Sequence, residues 1–175
     1  MSAWNQLRLP AEHELLVGFY DLTGYTAFAE RRAPREVLQI LTGYFALTGG
    51  IIADAGGRLI KTLGDAGLCA FFDPDAGVRA MLRVQSEGDA LMARQGFKSR
   101  ALVKMDFGAV ALGKVGAPDA EILDVYGKTV NTAAVLDSKG FAMTASAFRA
   151  LSADTRTLFK KHTPPISYIA ASDHR

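Results

Sequence analysis

The sequence predicts an α+β domain with a ferredoxin-like split βαβ core and a C-terminal extension, and three observations carry that prediction. Apolar runs and helix-period segments follow one another in the order strand, helix, strand, strand, helix, strand. Both helix-period segments open on a proline, at Pro34 and Pro74, and close at glycines, Gly56-Gly57 and Gly96. Two aspartates, Asp21 and Asp65, each sit where an apolar run meets a glycine-containing turn. In a split βαβ sheet the first strand lies antiparallel beside the third, so the end of one meets the start of the other and these aspartates become neighbours.

Each element has its own justification. Leu15-Leu16-Val17-Gly18-Phe19-Tyr20 is a continuous apolar run, as expected of a strand covered on both faces. Residues 1–14 before it read as an N-terminal extension to a domain of residues 15–175. From Pro34 onward, Val37, Leu38, Leu41, Tyr44, Phe45, Ile52 and Ala55 recur at three- and four-residue steps, the period of an amphipathic helix. Gly43, Gly49 and Gly50 inside it each cost about 1 kcal/mol against alanine, so close packing on a sheet or another chain is expected there. Arg58 to Leu63 and Leu68 to Phe72 form a hairpin with Asp65 at its tip. Asp73-Pro74 supplies an N-cap and a first-turn proline for a second helix through Val78, Met81, Leu82, Leu91 and Met92. Ala101 to Phe107 and Ala109 to Val115 read as an antiparallel strand pair, followed by short helices near Thr129–Leu136 and Ser146–Leu151. Thr163-Pro164-Pro165 then precedes an edge strand, Ile166 to Ile169.

Composition narrows the function classes. A chain of 175 residues without Pro-, Ser- or charge-dominated segments reads as one domain able to bury about 70% of its unfolded surface. The net charge of +2, with Lys and Arg scattered, argues against a nucleic-acid partner. Cys69 is the only cysteine and lies in an apolar run, so an inert core thiol and a reducing compartment are expected. No segment reads as a leader or as the about 20 apolar residues of a membrane span, which makes a soluble, cytoplasmic protein the expectation.

Paired carboxylates at strand ends offer hard oxygen ligands for Mg²⁺, and turn N–H groups near Gly24 can hold a polyphosphate beside them. Either aspartate alone would more often be ordinary turn chemistry; their expected adjacency is what makes a metal pair.

Three blocks of the chain resemble the signature blocks of class III adenylyl and guanylyl cyclase catalytic domains. These are Phe19-Tyr20-Asp21-Leu22-Thr23-Gly24-Tyr25-Thr26, Gly56-Gly57-Arg58-Leu59-Ile60-Lys61-Thr62-Leu63-Gly64-Asp65 and Asp124-Val125-Tyr126-Gly127-Lys128-Thr129-Val130-Asn131. The resemblance runs from about Leu15 to Leu151. It implies a class III nucleotidyl cyclase-like fold and a cyclase that converts ATP to cyclic AMP and pyrophosphate at a site shared by a homodimer. It places two Mg²⁺ or Mn²⁺ ions on Asp21 and Asp65, phosphate oxygens on the backbone of Leu22, Thr23, Gly24, Tyr25 and Thr26, the base on Lys61 and Asp124, and the ribose or transition state on Asn131. A lysine that only donates and a carboxylate that only accepts match adenine's N1 and N6, and guanine reverses that pattern.

The departures from the resemblance matter equally. Val135 stands where the family carries a transition-state arginine four residues after the asparagine. Ala109 stands at the position matched to a phosphate-facing arginine on the fourth strand, and Leu158 to Arg175 lack a glycine-lysine-glycine segment, offering only Lys160 and Lys161. Lys128 and Lys139 are candidate substitutes if the helix of Asn131 reaches far enough. A slow enzyme is therefore the leading expectation; the alternatives are a catalytically impaired nucleotide-binding or dimerisation domain of cyclase ancestry and a ferredoxin-like interaction module without nucleotide.

Overall fold

The computed structural model describes residues 3–163 and 166–173. A short 3-10 helix at Ala3–Gln6 leads into β1 (Ala11–Leu22), α1 (Tyr25–Ala29), α2 (Pro34–Asp54), β2 (Arg58–Leu63), β3 (Ala66–Phe71), α3 (Pro74–Arg94) and β4 (Ala101–Val115). The C-terminal part adds β5 (Ile122–Tyr126), α4 (Lys128–Val135), β6 (Phe141–Met143), α5 (Ala145–Ala150), α6 (Ala153–Arg156), β7 (Phe159–His162) and β8 (Ser167–Ala170). One sheet runs in the order β2-β3-β1-β4-β6-β8-β7, with β5 paired to β4. β1 is antiparallel to both β3 and β4, as the split βαβ motif requires.

The continuous apolar run of β1 is explained by burial on two faces. Leu16 and Tyr20 point to the side covered by α2 and α3, where Tyr44, Ile52, Val78, Met81 and Val84 complete one core cluster. Leu15 and Val17 point to the other side and join Trp4, Val110, Leu112, Val125 and Ala133. Residues ahead of Leu15 thus contribute: β1 starts at Ala11, and Trp4 is buried with its Nε1–H donating to Gly56 O at 3.0 Å. Gly67 is required where β3 passes under Tyr20, because a Cβ there would lie 2.4 Å from the tyrosine ring.

Several expectations are corrected. The residues read as a strand pair form a single strand, β4, and Gly108 is no turn. β1 is long enough to pair along β4 from Ala11↔Leu112 to Leu22↔Ala101, and Gly108 instead admits α4, since a Cβ there would meet Thr129 Oγ1 at 2.8 Å. The antiparallel return is made by β5. β8, near the expected edge strand, is interior, because Phe159–His162 forms an outer strand beyond it; Pro164-Pro165 lie outside the described residues. Gly43 and Gly50 of α2 have no neighbour for an added Cβ, and Gly49 meets only Leu59 at 3.5 Å, so packing within the chain does not explain them. α2 also has the length and hydropathy of a membrane span, contrary to the reading of the sequence; Tyr44, Ile51 and Ile52 bury part of that apolar character in the core.

Candidate active site

β1 and the β2–β3 hairpin bring the two aspartates together. Tyr20 pairs with Gly67, so Asp21 at the end of β1 stands beside the tip that carries Asp65. The hairpin turns through Gly64 at φ +59°, a left-handed conformation that glycine adopts without strain. Asp65 Oδ2 accepts the Leu22 N–H at 2.9 Å, which ties the tip to β1. Asp21 Oδ1 is buried and has no hydrogen-bond partner. Burial pushes the Asp21 carboxyl above its ordinary value, Lys104 opposes that shift and the Asp65 charge adds to it. An orphaned carboxylate oxygen beside a second carboxylate fits a hard divalent cation. Among the described residues no cluster of three or more His, Cys, Asp or Glu exists, so such an ion would draw its remaining ligands from phosphate oxygens and water, as Mg²⁺ commonly does.

The turn after Asp21 is narrower as a phosphate cradle than its sequence implied. The Leu22 N–H is taken by Asp65 and the Thr23 N–H by Arg100 O at 3.2 Å. The donors left are those of Gly24, Tyr25 and Thr26, where Gly24 at φ +74° turns the chain into α1. Ser99 Oγ and the Arg100 N–H bond to Thr23 and fasten this turn to the start of β4.

Lys61 and Asp124 also meet. β4 outruns its neighbours, and its distal half carries β5 back against β2, where Lys61 Nζ donates to Asp124 Oδ2 at 2.6 Å. Asp124 is 4% exposed and accepts further bonds from the Val125 N–H at 2.8 Å and Tyr126 Oη at 2.9 Å. Burial disfavours its charge, but these three donors outweigh burial and hold the carboxyl below its ordinary value. Tyr126 was not singled out from the sequence; its hydroxyl competes for the same carboxylate oxygen, and its ring lies 6.0 Å from Lys61 Nζ.

α4 holds Asn131 on an exposed face, and the Asn131 side chain makes no hydrogen bond among the described residues. Val135, one turn on, is 83% exposed. α4 ends at Val135 because Leu136 turns extended, at φ −61° and ψ 128°, so Lys139 cannot share its face. Lys128, at the first helical position, is exposed. Ala109 pairs with Glu14, far down β1 from Asp21, which pairs with Leu102. Within one chain, Ala109 and the metal pair therefore lie apart. Lys160 Nζ is taken up by Ala171 O and Asp173 O at 3.3 and 2.7 Å, a structural role.

Lys104 is the residue overlooked in the sequence. It sits on β4 opposite Phe19, on the same face as Asp21, and with Asp21 and Ala134 it lines a cleft of about 120 Å³. The available signal was slight: a charged residue on the polar-side alternation of the strand Ala101 to Phe107, the face opposite Ala101, Val103 and Met105.

Paired strand-end carboxylates and a separate lysine–aspartate pair thus stand on a mixed sheet with a ferredoxin-like core. Residues 9–163 match the adenylate and guanylate cyclase catalytic domain, and the chain belongs to that family. It is 35% identical over 144 residues to an adenylate cyclase of Glutamicibacter nicotianae, covering 79% of this chain and 33% of that protein. It is 33% identical over 128 residues to an adenylate cyclase of Streptomyces coelicolor, covering 73% of this chain and 30% of the relative. The chain thus spans about a third of the length of these curated relatives. Among solved structures, the adenylyl cyclase CyaB from P. aeruginosa superposes with a TM-score of 0.81 at 18% identity, covering 97% of this chain and 98% of that one. That likeness establishes a class III cyclase fold.

Proposed function

We propose that two copies of this chain form a nucleotidyl cyclase that converts ATP to cyclic AMP and pyrophosphate. The observation that carries the reading is the Lys61–Asp124 pair, a buried acceptor and a donor in contact at 2.6 Å, set apart from the Asp21–Asp65 pair. Lys61 donates to adenine N1 and Asp124 accepts from the N6 amino group. Asp21 and Asp65 would hold two Mg²⁺ or Mn²⁺ ions, which would supply Lewis acidity toward the ribose 3′-hydroxyl and neutralise phosphate charge. The N–H groups of Gly24, Tyr25 and Thr26 steady phosphate oxygens, and Asn131 orients the ribose.

In the dimer, Asp21 and Asp65 of one copy face Lys61, Asp124 and Asn131 of the other. Exposed Leu63, Tyr126 and Val135 fit this arrangement, since each stands within a few residues of a site residue that the partner copy would cover. Names of the relatives favour adenine over guanine. Val135 favours slow turnover, and it is also the observation behind a second reading, a nucleotide-binding domain without useful catalysis. Incubating purified protein separately with ATP, GTP, CTP and UTP plus Mn²⁺, then separating products by chromatography, tests the proposal. Cyclic AMP from ATP is the expected product; no cyclic product from any nucleotide overturns it.

A further inference from the structure

The proposed site is short of positive charge. A triphosphate brings about four negative charges and the two aspartates add two more, against four from two divalent ions, so the protein must supply cations of its own. Arg32 is committed to Glu36 at 3.1 Å, Arg100 to Asp173 and Lys61 to Asp124, while Arg31, which lines a pocket with Gly24, stands exposed to solvent. Val135 offers none.

Lys104 is different. Among the described residues it makes no ion pair within 4.0 Å and no hydrogen bond, although it is half-buried on a central strand. It lies on the same face of the sheet as Asp21, one step along the neighbouring strand, since Phe19 pairs with Lys104 and Asp21 with Leu102. Diagonal neighbours of this kind stand roughly 7–8 Å apart at their Cα atoms, within reach of a long side chain. Lys104 is the one cation lining the cleft between Asp21 and Ala134. Asp21 Oδ1 has no hydrogen-bond partner, so the ammonium stands near that carboxylate without being spent on it.

From this geometry we propose that Lys104 is the polyphosphate-facing cation of the site, binding phosphate oxygens beside Asp21 where no arginine reaches from Val135. The inference rests on the nucleotide reading above. It predicts two effects of opposite sign for Lys104→Met, which keeps the length of the side chain and removes its charge. Loss of a charged hydrogen bond to phosphate weakens triphosphate binding about 10- to 100-fold. Loss of a like-charged neighbour strengthens binding of a bare cation at Asp21.

The experiment titrates wild type, Lys104→Met, Lys104→Gln and Lys104→Arg by calorimetry with Mn²⁺ alone, and in excess Mn²⁺ with α,β-methylene-ATP and with adenosine. The two neutral variants check each other should one fold poorly. Support consists of weaker analogue binding in both neutral variants, recovery in Lys104→Arg, unchanged adenosine binding and tighter Mn²⁺ binding. Analogue binding at wild-type strength in the neutral variants overturns the assignment while leaving the nucleotide reading in place, and makes Lys104 a counter-charge to Asp21 only. A wild-type protein that binds Mn²⁺ but no analogue overturns both.

Discussion

Lys61 Nζ and Asp124 Oδ2 lie 2.6 Å apart, and they join β2 to β5, strands that share no backbone pairing. The contact positions a donor and an acceptor side by side on rigid elements, which is what hydrogen-bond discrimination between bases requires. A base with reversed donors and acceptors would leave both groups unpaired. ATP analogues should therefore bind more tightly than GTP analogues by about 1–3 kcal/mol, and Asp124→Asn should erase most of that gap. Competition titration measures it; equal or tighter GTP binding by wild type would show that these residues do not read the base.

Asp124 and Asp21 should respond to pH with opposite signs. The Asp124 carboxyl is held below its ordinary value of 3.8, so it contributes stability above that value and loses it as pH falls through the lower folded one. Asp124→Asn should lower Tm at pH 7, with the deficit closing in acid.

Burial, by contrast, raises the Asp21 carboxyl above 3.8, so its ionised form costs stability once pH rises through the folded value. Asp21→Asn should raise Tm at pH 7 in metal-free buffer, with the advantage gone below about pH 3.8. Mn²⁺ should stabilise wild type and not the variant. Thermal melts across pH, with and without Mn²⁺, check the direction; equal Mn²⁺ stabilisation of both proteins would remove Asp21 as a ligand.

The βαβ order and the Asp21–Asp65 adjacency were legible because they rest on local signals: apolar runs, proline and glycine at helix ends, and a short hairpin. What local signals could not supply was reach. Gly108 looks like a turn in sequence because glycine marks both turns and close approaches, and only the length of β1 decides between them. The same blindness hid Lys104, since its importance comes from register against Phe19 rather than from any motif. It also hid that Ala109 stands seven pairs along β1 from the Asp21 of its own chain. The engaged N–H groups of Leu22 and Thr23 were likewise invisible, because their partners lie in the hairpin tip and at the start of β4.

A site built from two copies predicts complementation. Mixing Asp65→Ala with Asn131→Ala gives mixed dimers in which one site lacks both groups and the other lacks neither. With random exchange about half the dimers are mixed, so roughly a quarter of wild-type turnover should return. Activity assays after verified subunit exchange decide it, and two variants that stay inactive together, against an active wild type, would sink the shared-site geometry.

Val135 offers the most direct handle on rate. It is 83% exposed at the last position of α4, one turn beyond Asn131. An arginine there removes no core contact, and arginine is a better helix former than valine, so the fold should change by no more than about 0.5 kcal/mol. A preorganised donor aimed at transition-state charge is typically worth about 10²–10³ in rate. Val135→Arg should thus raise kcat by one to two powers of ten, roughly, with the lower figure applying if Lys104 already neutralises part of the phosphate charge. KM for the triphosphate should move far less, because the gain belongs to the transition state. Lys128→Ala should slow the reaction only if that exposed lysine is the present substitute. Steady-state kinetics of the two variants, with Mn²⁺ saturating, separate these cases. A Val135→Arg protein that binds nucleotide and still makes no cyclic product would turn the chain from a slow cyclase into a nucleotide-binding relative of one.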